Sequence, residues 1–260
     1  MNKKIVFIKN FSNLSINQGI NILVAIIATP ILFQNLGESS FGLINLSFSI
    51  FILLSIIISY GYHLNGPKNI SLITQINKER DLINELISIR IFLALIISLL
   101  VILITYFSSL FDGYSIIILF SIPILWSEAI HPVFYLQGKN NLSILAILNS
   151  FSKLIYLGFI ILFIKSPEDA YKVNLMFGMS LYIVYLFFWL KIYLKNKIKF
   201  VWSSFEKLIY RLKENFEFFF SSIAGHLSIH SGLIILKLFV DNLELGKFAL
   251  ANRIALLLRM

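Results

Sequence analysis

Residues 29–61 read TPILFQNLGESSFGLINLSFSIFILLSIIISYG. A proline stands near the front, a polar hinge follows, and an apolar run too long for a core strand completes the stretch. A bilayer core about 30 Å thick is crossed by a helix of about 20 apolar residues. The run from Phe41 therefore predicts a membrane span, and the apolar residues from Phe11 to Phe33 predict another before it. Pro30 removes an intrahelical hydrogen bond and is expected to bend the first span. Gly37 suits a tight helix exit, and Ser39 or Ser40 can cap the second span.

The pattern repeats along the chain. Its 260 residues are 58% hydrophobic and 13% charged, with mean hydropathy +0.85. A soluble domain carries about 25% charged residues, so too little polar surface is available to coat a water-soluble globule. Helices satisfy their own backbone groups in lipid. The sequence thus predicts an all-α polytopic membrane protein. Its spans are expected at 11–33, 41–62, 87–110, 114–136, 142–164, 173–194 and 216–240, with an eighth from Gly246.

The net charge of +9 and pI of about 9.6 do not require nucleic acid as a partner. Fifteen Lys and Arg, with Arg90 among them, fall on one side of these spans, and Lys165, Lys172 and Lys247 fall on the other. The richer side is cytoplasmic by the positive-inside rule, which puts the N-terminus inside. Residues 196–215 form a basic linker. Trp202, Phe205, Leu208, Ile209 and Leu212 follow a helical period there, which suggests a helix lying on the membrane surface. With no cysteine there is no disulfide or thiol chemistry.

The linker divides the chain into 1–195, 196–215 and 216–260. Gln34–Asn45 (QNLGESSFGLIN) and Asp241–Asn252 (DNLELGKFALAN) align without gaps, with Asn, Leu, Phe, Leu and Asn identical. Six spans separate the copies, so both cross in the same direction. Parallel six-helix repeats of this kind are a transporter arrangement.

Pro30 followed by Gly37, Phe41 and Gly42, the Pro132–Leu157 stretch PVFYLQGKNNLSILAILNSFSKLIYL, the turn KSPEDAYKVN (Lys165–Asn174), and GKFALANRI near the end come in a familiar order. Together they resemble the Wzx-type O-antigen and polysaccharide flippases, of the superfamily that also holds the MATE drug exporters. The resemblance implies a MATE-like fold of two lobes. This chain would hold one six-helix transmembrane lobe and the first one to two helices of a second, the MATE-like fold being incomplete.

Functional residues are sought where polarity interrupts the spans. A Lys or Arg at mid-membrane costs about 2.5–3.5 kcal/mol on insertion scales, so Lys153, Lys237 and Arg253 are expected to face a watery cavity or snorkel. Asn149, Lys153 and Tyr156 share one helical face; His226, His230 and Lys237 share another. The i, i+4 histidines also have metal-ligand spacing, but they lack a third ligand nearby, and neither metal nor cofactor is expected. Glu128 is the clear acidic residue within a span. It reads as the partner of His131 or of a cation, with proton coupling as the sharper alternative. Asn13, Asn17 and Asn21 form a carboxamide stripe on the first span.

The resemblance implies a flippase that turns an undecaprenyl-diphosphate-linked oligosaccharide from the cytoplasmic to the periplasmic leaflet of the bacterial inner membrane. Its partners would be that lipid-linked oligosaccharide, membrane lipids, and polysaccharide polymerase and chain-length proteins. A MATE-type drug antiporter is the first alternative; carboxylates would suit its cationic cargo better than lysines. A truncated remnant without transport is the second. A membrane polymerase needs a large outer loop, and the expected outer loops are short. No Walker A or hydrolase motif is present, so no enzyme is expected.

Overall fold

The computed structural model describes residues 3–195 and 199–258. The linker residues 196–198, and residues 1–2 and 259–260 of the expected division, lie outside the described residues. Those described are helical or in turns, with no strand among them. Among the described residues, five segments are long and apolar enough to cross a bilayer, with a sixth if the two halves of a helix bent by 60° near Leu227 are taken together.

The quoted stretch decides the first element. Helix α1 runs Lys3–Ser59, and its one non-helical residue is Gly37, at φ 74 and ψ 168. Glycine adopts positive φ without a Cβ penalty. At 1.5 Å per residue, Asn21 and Ser49 would stand about 42 Å apart on a straight helix. They line one cavity instead, and the Phe33 and Phe41 rings meet edge to face at 5.4 Å. Helix α1 is therefore a hairpin of two spans. Gly37 sets the reversal: helical backbone continues through Pro30 and resumes at Glu38, so the cap position falls on Gly37, two or three residues before the expected Ser39 or Ser40.

Helix α2 (Tyr62–Ser71) follows left-handed backbone at Tyr60 and Gly61, where a loop was expected. It lies against the later helix α6 (Val133–Gly138) through two glycine contacts. A Cβ on Gly138 would fall 2.6 Å from Ile70 Cβ, and one on Gly66 would fall 2.8 Å from Phe134 Cβ. Helix α3 (Ile76–Phe107) starts well before the apolar run expected from 87. Its charged first turns are pinned: Glu79 accepts from Lys139 at 2.6 Å, and Glu85 pairs with Lys207 and Arg211.

The span expected at 114–136 is broken into α4 (Ser115–Phe120), α5 (Ile122–Ala129) and α6. Pro123 and Pro132 stand at the breaks, where a missing N–H does least harm. Helix α7 (Leu142–Phe163) and α8 (Ala170–Lys195) match the expected fifth and sixth spans closely. Gly178 of α8 lets the two backbones touch: its Cβ would lie 2.5 Å from Ile124 N.

The spans alternate in direction. At one end Asn35 donates to the Ile164 carbonyl at 2.8 Å; at the other Tyr193 donates to Asn84 and Tyr62 to the Arg211 carbonyl. The amphipathic helix α9 (Phe205–Glu214) sits at this second end. Its apolar stripe is split between protein and surroundings: Leu208 is buried against α3, while Trp202, Phe205 and Ile209 stay exposed. Helix α10 (Phe216–Leu236) leaves from there, and α11 (Asn242–Leu258) returns beside the second half of α1.

Candidate translocation cavity

Among the cavities that the described residues enclose, two adjoin one another inside the helix bundle. The first, of about 290 Å³, is lined by both halves of α1, by α7 and α8, and by α10 and α11. Lys153, Tyr156, His230 and Arg253 reach it, together with Asn21, Asn45, Asn174 and Asn252. The second, of about 210 Å³, is lined by Glu128, His131, Asn149, Lys153 and Tyr185 among others. Asn21, Lys153 and Phe177 belong to both, so a polar lane runs past Lys153 from Arg253 toward Glu128.

The cations are held by neutral amides. Lys153 Nζ donates to Asn21 Oδ1 at 2.6 Å, and Arg253 Nη1 to Asn45 Oδ1 at 3.5 Å. Among the described residues, no carboxylate forms an ion pair with either. The carboxamide stripe on α1 supplies these contacts, since Asn17 accepts from Ser150 at 3.0 Å, one turn below Asn21. Asn149 accepts from the Tyr185 hydroxyl at 2.8 Å. Tyr156 is buried edge to face with Phe177 at 5.3 Å.

The other expected site residues divide. Lys237 lines neither cavity; it stands at the C-terminal end of α10 and donates to Asn242 Oδ1. His226 also lies off both linings. Its Nδ1 bonds the Ser222 carbonyl, and its ring stands 6.4 Å from His63 and 6.4 Å from His230. The two histidine rings stay stacked across the bend in α10, and of the pair His230 alone lines the first cavity.

Glu128 has two partners. His131 Nδ1 lies 3.5 Å away, and Arg90 Nη2 lies 3.1 Å from Oε1. Sequence reasoning put Arg90 among the cytoplasmic loop charges, and the structure corrects this. Arg90 is 1% exposed inside α3 and donates to the backbone carbonyls of Glu128 and His131. Pro132 has no N–H to offer the Glu128 carbonyl, which keeps the His131 N–H at 3.1 Å, and Arg90 adds a side-chain donor both to it and to the His131 carbonyl. Arg90 thus staples a broken span, and its guanidinium also lies 5.6 Å from the Phe134 ring centre. The signal was present: two prolines within one span predict unpaired carbonyls, and a lone buried donor nearby is what they need.

Outside the spans, Arg211 of α9 is drawn two ways. Burial would lower its pKa, but hydrogen bonds to Glu214 and Glu85 outweigh this and raise it. The pairing ties the linker helix to α3.

These features define a polytopic α-helical membrane protein built around a polar, cation-bearing internal cavity. The chain belongs to the polysaccharide biosynthesis protein family, whose model matches residues 7–260. A protein of Escherichia coli (strain K12) described as "Putative O-antigen transporter" is 25% identical over 170 residues, which cover 62% of this chain. The chain spans 39% of that relative's length. A solved structure described as "protein A" superposes with a TM-score of 0.65 at 12% identity, over 99% of this chain and 61% of its own, which speaks to the fold alone.

Proposed function

We propose that this chain forms part of a transporter that carries lipid-linked oligosaccharide across the bacterial inner membrane, from the cytoplasmic to the periplasmic leaflet. The observation that carries the reading is the pair Lys153 and Arg253, in one cavity and without carboxylate partners. An uncompensated cation away from bulk water is costly, and an anionic cargo relieves that cost while it is bound. A diphosphate, or an acidic sugar beyond it, supplies the oxygen acceptors that lysine and arginine recognise. The asparagines around them suit sugar hydroxyls. Family membership and the name of the Escherichia coli relative support transport of polysaccharide rather than an enzymatic step.

The drug-antiporter reading loses ground at Glu128. Its carboxylate is occupied by Arg90 and His131, and the cavity offers cationic cargo two lysine and arginine charges instead of an open acid. We assign Glu128 a structural role. Alternating access would come from rocking two parallel lobes around the cavity.

Deleting the gene from a producing strain is expected to strip polysaccharide from the surface and leave its lipid-linked precursor on the cytoplasmic face. Unchanged surface polysaccharide in the deletion strain would exclude the reading. Orientation has its own test. Reporter fusions at Asp112 and Lys199 should report opposite sides, with Lys199 cytoplasmic, because positive charge concentrates at the α9 end. Signals from the same side would break the span order.

A further inference from the structure

Away from α9, the first cavity ends at a helix crossing with no room for side chains. There the second half of α1 meets α11. A Cβ on Gly42 would fall 2.7 Å from Gly246 N and 3.0 Å from the Asn242 carbonyl oxygen. A Cβ on Gly246 would fall 2.0 Å from the Glu38 carbonyl oxygen. Both glycines sit in helices, where glycine is about 0.5–1 kcal/mol worse than alanine; the close approach is a sufficient reason for them. The lining of the cavity begins just past this contact, at Ile44 and Asn45 on α1 and at Ala249 on α11.

The two crossing segments are also the two that match in sequence. Glu38 meets Gly246, and Asn45 meets Arg253, so the contacts advance by the same seven residues on each helix. The helices cross at Gly42 and Gly246 and run on into the cavity in the same direction. That is the arrangement expected where two parallel repeats face each other across an axis along the membrane normal. Among the described residues, no hydrogen bond or ion pair joins Glu38–Gly42 to Asn242–Gly246. The crossing is held by dispersion, at about 0.1–0.2 kcal/mol per atom pair. It is tight when closed, yet opening it strands no charge.

We propose that the Gly42–Gly246 crossing is the outer seal of the cavity, closed in this structure and parted when cargo leaves on the far side. The proposal rests on the transporter reading above. Its readout is accessibility, which does not require cargo to be identified.

The chain has no cysteine, so a single Ser49→Cys on the cavity wall can be labelled selectively. The probe is a membrane-impermeant charged maleimide added to spheroplasts, with the full chain in its native membrane. With the seal intact, labelling from outside is expected to be slow. Adding Gly246→Ala, or the milder Gly42→Ala, should wedge the crossing open and raise the rate several-fold. Gly158→Ala, where a Cβ meets nothing within 4 Å, should leave it unchanged. Equal labelling in all four backgrounds overturns the proposal. So does loss of both wedge variants from the membrane while Gly158→Ala persists, since a contact that opens in the working cycle cannot be one the fold requires. Surface polysaccharide is scored in parallel. Accessibility that follows the wedge in a protein whose deletion leaves polysaccharide intact would keep the seal and discard the cargo.

Discussion

Lys153→Ala is expected to reach the membrane at normal abundance and to lose most surface polysaccharide. The substitution removes an ammonium that costs about 2.5–3.5 kcal/mol to insert at mid-span, so folding should not suffer. The group left behind is the Asn21 carboxamide, which is neutral and borders both cavities. What is lost is a charged donor to cargo. A hydrogen bond to a charged group is worth about 1.5–3 kcal/mol, or a fall of about ten- to a hundred-fold in transport. Lys153→Arg keeps the charge but replaces a compact ammonium with a planar fork, and should retain part of the activity. Abundance by immunoblot and polysaccharide by gel must be read together. Normal polysaccharide from Lys153→Ala would remove Lys153 from any role with cargo. Reduced abundance would instead mark it as a structural lysine.

Much of this arrangement was legible in the sequence, for stated reasons. Apolar runs of bilayer length fix the spans whatever the packing, which is why α7 and α8 fall where 142–164 and 173–194 were expected. Lys153 and Arg253 were legible because a charge at mid-span has few tolerable environments. The 34–45 and 241–252 match gave the parallel direction of α1 and α11, and the structure adds that the two copies touch. Other features were not legible. Helix α3 begins in charged sequence, because its first turns are held by ion pairs to α9 and to Lys139 and not by an apolar face. Lys237 and His226 share a helical period with His230, but periodicity assumes one straight, continuous helix: α10 bends between Leu227 and His230 and ends at Leu236, before Lys237. Arg90 was misassigned because a cation near a span boundary counts as a loop charge until its partners are known. Its partners are backbone carbonyls, which the sequence marks only indirectly, through Pro123 and Pro132 of the neighbouring span.

Arg90→Leu should therefore behave in the opposite way to Lys153→Ala. It leaves the Glu128 carboxylate without its buried guanidinium, and it takes a side-chain donor from the carbonyls of Glu128 and His131 at the Pro132 break. Removing one partner of a buried ion pair costs about 3–5 kcal/mol, a large share of the about 5–15 kcal/mol that holds a typical protein folded. The expected result is a steep loss of folded protein, seen as low membrane abundance and an earlier aggregation midpoint in detergent. Adding Glu128→Gln to Arg90→Leu removes the stranded charge and should recover part of the abundance, though not all, because both carbonyls still lack the Arg90 donor. Glu128→Gln alone should be milder, since Arg90 keeps both carbonyls and a glutamine oxygen can still accept from it. The order expected is parent, Glu128→Gln, the double variant, then Arg90→Leu. If Arg90→Leu were as abundant and heat-stable as the parent, the staple would be disproved. A stable Arg90→Leu protein that failed only to export polysaccharide would move Arg90 to the cargo path and leave the broken span to be held by something else. The double variant separates charge from geometry: recovery traces the damage to the unpaired carboxylate, and no recovery traces it to the donor lost from the backbone at Pro132.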